Sequence, residues 1–219
     1  MEDPTRVAGR RHLFDPVQRD RGVDWGRHMD ELLEWCRRFG EEGMAPEEGG
    51  ASLGNLSVRT PRGFLITPSR TQLKTELPWD HLVEVVRVEI VSRRDEEFRI
   101  HYLGGGAGPE AGGRVPSSDA LLHHCVYAAR PDVLAVFHGH DPAILAVDDQ
   151  LGVPCTTEPV PFGTIRDAYG VAQALGPASA VVRRDHGFVT VGRTVEQAGR
   201  RALELHRKAV ALGSAGAGR

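Results

Sequence analysis

Val133-Leu134-Ala135-Val136-Phe137 is an unbroken apolar run that ends in His138-Gly139-His140. A run this short, apolar at both odd and even positions, predicts a central, buried strand. Side chains two apart in an extended segment share a face, so the two imidazoles at its end point the same way. Two neutral imidazoles are half of a zinc site, because Zn2+ takes three or four ligands and accepts His nitrogen. On its own the pattern is a weak signal, because histidines at strand ends are often only hydrogen-bonded. His186 is a candidate third ligand: it lies between the expected strands 180–183 and 188–191, and Gly187 follows it, permitting close backbone approach.

The surrounding elements read as an α+β domain. Leu56–Arg59 and Phe64–Thr67 predict a strand pair around Thr60-Pro61-Arg62-Gly63. Leu82–Val91 and Glu97–Leu103 predict a second pair. Trp25, Met29, Leu32, Leu33 and Cys36 recur at helical spacing, predicting a helix over 24–43. Ser117 or Ser118 is placed to cap a helix to about Arg130, Pro142–Val147 reads as a short helix, and Thr194 as the cap of a helix to about Leu212. Hairpin-linked strands and separate helical blocks argue against a Rossmann fold, and no Gly-x-Gly-x-x-Gly follows a strand. The expected organisation is a flexible arm over 1–23, one domain over 24–212 and a disordered tail over 213–219.

Bulk properties narrow the function. A chain of 219 residues buries one sizeable core. The net charge of -3 gives no electrostatic case for nucleic acid or an anionic membrane, and no apolar run approaches the ~18–20 residues of a spanning helix. Cys36, Cys125 and Cys155 form no disulfide framework or Cys-x-x-Cys knuckle, which fits a reducing cytoplasm. Lys74 and Lys208 are the only lysines. With so few candidates for a Schiff base, a metal electrophile is the better expectation. Asp119 lies at the start of the Ser117-Ser118 helix, where the free amides favour a carboxylate, and His123 follows one turn on, on the same side.

Taken in order, several segments resemble the class II aldolase and adducin head family over roughly 25–209. They are Gly54-Asn55-Leu56-Ser57, Gly63-Phe64-Leu65-Ile66-Thr67-Pro68-Ser69, Pro116-Ser117-Ser118-Asp119, the His138-Gly139-His140 strand, Phe162-Gly163-Thr164, Asp185-His186-Gly187 and Gly192-Arg193-Thr194. The resemblance implies a three-layer α/β/α domain around a mostly antiparallel sheet, assembled as a homotetramer. It implies one Zn2+ per chain on His138, His140 and His186, and a proton-shuttling carboxylate at Asp119. It further implies substrate-binding loops at Ser52, Asn55, Ser69, Ser117 and Ser118. The implied activity is that of a zinc-dependent lyase, making or breaking a carbon–carbon bond of a small hydroxy-carbonyl or sugar-phosphate-like compound through a metal-stabilised enediolate. Dehydration and decarboxylation are alternatives, and a non-catalytic adducin-like module is a third.

Three departures from the family pattern bear on substrate. Asp119 replaces the usual Glu and is one methylene shorter. Arg70 replaces a Gly, either blocking the phosphate pocket or offering a fork to a carboxylate or phosphate. Pro159 falls where the aldolase has an acid-supplying Tyr.

Overall fold

The computed structural model describes residues 6–7, 10–16, 26–73, 77–104, 113–158 and 160–216. Its strands are β1 (Arg6–Val7), β2 (Arg10–Pro16), β3 (Glu47–Glu48), β4 (Ala51–Ser52), β5 (Gly54–Arg59), β6 (Phe64–Ile66), β7 (Val83–Ser92), β8 (Glu97–Gly104), β9 (Ala135–Gly139), β10 (Ala180–Arg183) and β11 (Gly187–Gly192). The helices are α1 (Gly26–Glu41), α2 (Ala120–Ala129), α3 (Pro142–Ala146), α4 (Ile165–Leu175) and α5 (Val195–Gly216). Among the described residues, one nine-stranded sheet runs β1-β2-β8-β7-β6-β5-β9-β11-β10, and β3 and β4 form a separate hairpin. Every neighbouring pair in the large sheet is antiparallel except β2 and β8.

Strand parity sorts side chains into two cores. Leu56, Val58, Ala135, Phe137, Val182 and Phe188 pack with α1, α3 and α5. Phe64, Ile66, Val85, Val136, Val181, Val189 and Val191 pack with α2 and α4 on the other face. This is the three-layer α+β arrangement with a mostly antiparallel sheet. The apolar run at 133–137 is central, as expected: β9 pairs with β5 on one side and β11 on the other, and all five of its residues are buried. No described helix is long and apolar enough to cross a membrane.

The structure differs from the sequence expectations at several elements. The strand extends through His138 to Gly139. Helix α4 was not anticipated, although Thr164 caps it by accepting from the Asp167 amide, and Ile165, Ala168, Val171, Ala172 and Leu175 recur at helical spacing. The arm expected to be flexible over 1–23 contains β2, which pairs in parallel with β8; an edge strand's unpaired amides and carbonyls can recruit an extended segment of almost any sequence. The tail expected over 213–219 is helical through Gly216, because α5 continues past Leu212.

Candidate metal centre

Chain parity and two glycines assemble the centre. His138 shares its parity with Val136, so it faces α2 and α4, and it is fully buried. Gly139 and Gly187 let the strands close up behind it. A Cβ on Gly139 would lie 2.4 Å from the Met44 carbonyl oxygen, and one on Gly187 would lie 2.3 Å from the Gly139 carbonyl oxygen. The turn between β10 and β11 has Asp185 in the left-handed region at φ 57°, a conformation Asp tolerates better than most residues. That turn presents His186 to the β9 end.

One ring nitrogen from each of His138, His140 and His186 lies within 4.8 Å of the other two. The Nε2 atoms of His138 and His140 are 3.0 Å apart. Two nitrogens on one tetrahedral zinc at about 2.0–2.1 Å stand roughly 3.4 Å apart, so the spacing suits a shared ion. His138 Nδ1–H donates to the Phe188 carbonyl at 2.8 Å, which leaves the Nε2 lone pair facing the centre. Burial pushes His138 well below its ordinary pKa, His140 down to about 4 and His186 down to about 3, so all three are neutral near pH 7. Two buried acceptor-capable atoms lack a hydrogen-bond partner here, His186 Nε2 and Asp119 Oδ1. Converging lone pairs with too few donors are what a divalent cation satisfies, so these residues fit a metal.

Asp119 is buried at the N-terminal boundary of α2, with Oδ2 3.4 Å from His138 Nε2. Its side chain does not cap the helix. Burial opposes its ionisation, but nearby Arg183 and the Asn55 hydrogen bond contribute to holding the carboxyl well below the usual range. A buried polar chain backs it. Asn55 Nδ2 donates to Asp119 Oδ2 at 3.1 Å; His123 Nε2 meets Asn55 Oδ1 at 2.7 Å; His123 Nδ1 meets Ser57 Oγ at 2.6 Å; and Tyr127 Oη lies 2.8 Å from Ser57 Oγ. Because the Asn55 amide faces Asp119, its oxygen faces His123, which makes Nε2–H the donor and Nδ1 the acceptor of Ser57. Burial lowers the His123 pKa to about 4, consistent with this neutral tautomer.

The remaining expected residues separate. Ser52 Oγ accepts from the Leu73 amide, and Ser69 Oγ donates to the Pro116 carbonyl, so both hydroxyls hold loops together. Ser117 Oγ accepts from the Asp119 amide, and α2 begins at Ala120, so neither Ser117 nor Ser118 is the helix cap expected from the sequence. Ser118 is half-buried in the same turn. Arg70 is exposed at φ 59° and lines a cavity of about 310 Å3 with Gly50, Thr71, His81 and Arg114. Lys208 donates to the Leu151 carbonyl. Lys74 and Pro159 lie outside the described residues.

Sequence reasoning missed Arg183 and Asp167. Arg183 ends β10, is 2% exposed, and forms an ion pair with Asp167 of α4. Its Nη1 lies 3.3 Å from His138 Nε2 and 3.5 Å from Asp119 Oδ1. The available signal was parity: Arg183 shares a face with the apolar Val181.

The sequence profile of the family described as Class II Aldolase and Adducin N-terminal domain matches residues 30–211. The chain belongs to this family. Among its class II aldolase relatives, the 5-methylthioribulose-1-phosphate/5-deoxyribulose-1-phosphate aldolase of Rhodospirillum rubrum is 31% identical over 179 residues, 71% of this chain and 68% of that one. The methylthioribulose-1-phosphate dehydratase of Gluconacetobacter diazotrophicus is 32% identical over 119 residues, 54% of this chain and 47% of that one. The L-fuculose 1-phosphate aldolase structure from Glaciozyma antarctica PI12 superposes with a TM-score of 0.68 at 21% identity, covering 93% of this chain and 79% of that one. That likeness supports the class II aldolase fold.

Proposed function

We propose that this class II aldolase-family chain is a zinc-dependent lyase that makes or breaks a carbon–carbon bond beside a carbonyl of a small hydroxylated compound. The observation that carries the reading is the convergence of three neutral imidazoles and a buried carboxylate with unpartnered acceptor atoms. His138, His140 and His186 would hold the ion. When bound, it would supply Lewis-acid stabilisation of negative charge on substrate oxygens. Asp119 would move the proton at the reacting carbon: it is ionised, buried and adjacent to the imidazoles that would hold the ion. Asn55 would orient that carboxylate, with His123 and Ser57 fixing Asn55 in turn.

Arg70 and Arg114 line a common cavity apart from the imidazoles, whose positive charge suits an anionic group. The left-handed backbone at Arg70 costs a non-glycine residue roughly 1 kcal/mol, a penalty that a side chain serving a phosphate or carboxylate would offset. Dehydration is the second reading, favoured by the dehydratase among the relatives.

The test is a panel of keto-sugars, their phosphates and keto acids offered to zinc-loaded protein and to Asp119→Asn. The expected result is turnover of at least one compound by the wild type, and a zinc-bound Asp119→Asn with turnover reduced at least a hundredfold, the lower end of general acid–base contributions. Near-wild-type turnover by Asp119→Asn would refute the role of Asp119.

A further inference from the structure

We infer that Arg183 is a resident cation of the histidine centre, and that Arg183 with its anchor Asp167 sets how tightly the centre holds a metal ion. The inference rests on the metal-site reading above but concerns residues that reading does not use.

Arg183 Nη1 approaches the same atom a metal would take. His138 Nε2 has one lone pair, because Nδ1 carries the proton given to the Phe188 carbonyl. That lone pair is within reach of the Arg183 guanidinium at 3.3 Å, with His140 Nε2 beside it at 3.0 Å. A metal–nitrogen bond and an N–H donation cannot both use it. Arg183 also pairs with Asp119 Oδ1 at 3.5 Å, one of the buried acceptors otherwise without a hydrogen bond. Arginine cannot relieve the conflict by losing its proton. Metal entry therefore has to displace Nη1 from His138 against the repulsion of like charges, in a site screened from water.

Asp167 moderates the competition. Its carboxylate grips the other guanidinium nitrogen, Nη2, from the first turn of α4, where the Thr164 cap fixes the backbone. Asp167 thus draws Arg183 away from the imidazoles and neutralises much of its charge. With Asp167 in place the guanidinium is a moderate competitor of the metal; without it, a strong one.

The experiment measures zinc affinity by competition with a chromophoric chelator for wild type, Asp167→Asn and the double variant Arg183→Met with Asp167→Asn. Removing Asp167 together with Arg183 avoids leaving the Asp167 carboxylate unpaired, and Asp119 keeps its Asn55 hydrogen bond. The double variant is expected to bind zinc more than threefold tighter than wild type, and Asp167→Asn more than threefold weaker. A double variant within threefold of wild type, or weaker, overturns the inference. If the double variant lacks a folded near-ultraviolet spectrum, Asp167→Asn decides: more than threefold weaker binding supports the inference, and any other value overturns it. Zinc bound equally by folded variants and wild type leaves the metal site standing and removes only the role of Arg183. No zinc bound by any of them refutes the metal site and the inference together.

Discussion

Replacing Asn55 by alanine tests whether the polar chain behind Asp119 organises the centre. Asn55 is 6% exposed and its amide makes two buried hydrogen bonds, to Asp119 Oδ2 at 3.1 Å and to His123 Nε2 at 2.7 Å. The first is to an ionised partner, worth about 1.5–3 kcal/mol; losing the second strands a buried N–H, at about 1–3 kcal/mol. The vacated amide leaves room for a water that would recover part of this sum. The net expectation for metal-free protein is a loss of roughly 2–4 kcal/mol in unfolding free energy. Urea unfolding followed by far-ultraviolet circular dichroism would register it as a midpoint lowered by about 1–2 M at an m-value near 2 kcal/mol/M. Asn55→Asp is the companion variant. It sets a second carboxylate beside Asp119, so the pair takes up a proton on folding. Its deficit relative to wild type should grow as pH rises above about 4. A loss below about 1 kcal/mol for Asn55→Ala, with no pH-dependent deficit for Asn55→Asp, would refute the claim that this chain holds Asp119.

Gly187→Ala forces a Cβ to 2.3 Å from the Gly139 carbonyl oxygen and 3.0 Å from His138 Cε1; thermal unfolding should show about 1–3 kcal/mol of destabilisation, and chelator competition should show weakened zinc binding. Burial depresses His123 and His140 to about 4 and His186 to about 3, from 6.5. Below pH 6.5 the unfolded chain therefore takes up protons that the folded chain refuses, and metal-free stability should fall from there toward pH 4. His123 alone accounts for roughly 3 kcal/mol at about 1.4 kcal/mol per unit; urea midpoints that stay level between pH 7 and 4.5 would contradict this. Arg70→Gly should stabilise the fold by roughly 1 kcal/mol by relieving the left-handed arginine, while raising the Michaelis constant for an anionic substrate in steady-state assays.

The imidazole cluster was legible because it depends on short-range rules. Period two puts His138 and His140 together, and a glycine after His186 announces a close backbone approach, where an added Cβ would lie 2.3 Å from the Gly139 carbonyl oxygen. The antiparallel pairs β5–β6 and β7–β8 were legible from alternation and turn residues. Helix α4 was legible in principle, through Thr164 and the apolar spacing after it, but polar Arg166 and Asp167 masked that pattern. The chain from Asn55 to Tyr127 was not legible. Ser57, His123 and Tyr127 are ordinary polar residues, and their pairings span 66 and 70 positions that only the sheet brings together. Arg183 was hidden for a related reason: an arginine ending a strand reads as solvated until the carboxylates that compensate it, from α2 and α4, are seen.

X-ray absorption at the zinc edge on stoichiometrically loaded protein tests directly whether His138, His140 and His186 hold a zinc ion. The expected result is one zinc per chain with three imidazole nitrogens at about 2.0–2.1 Å, and loss of that signature in His138→Ala but not in His124→Ala. Wild-type protein that retains no zinc after loading, or a spectrum unchanged by His138→Ala, would contradict it.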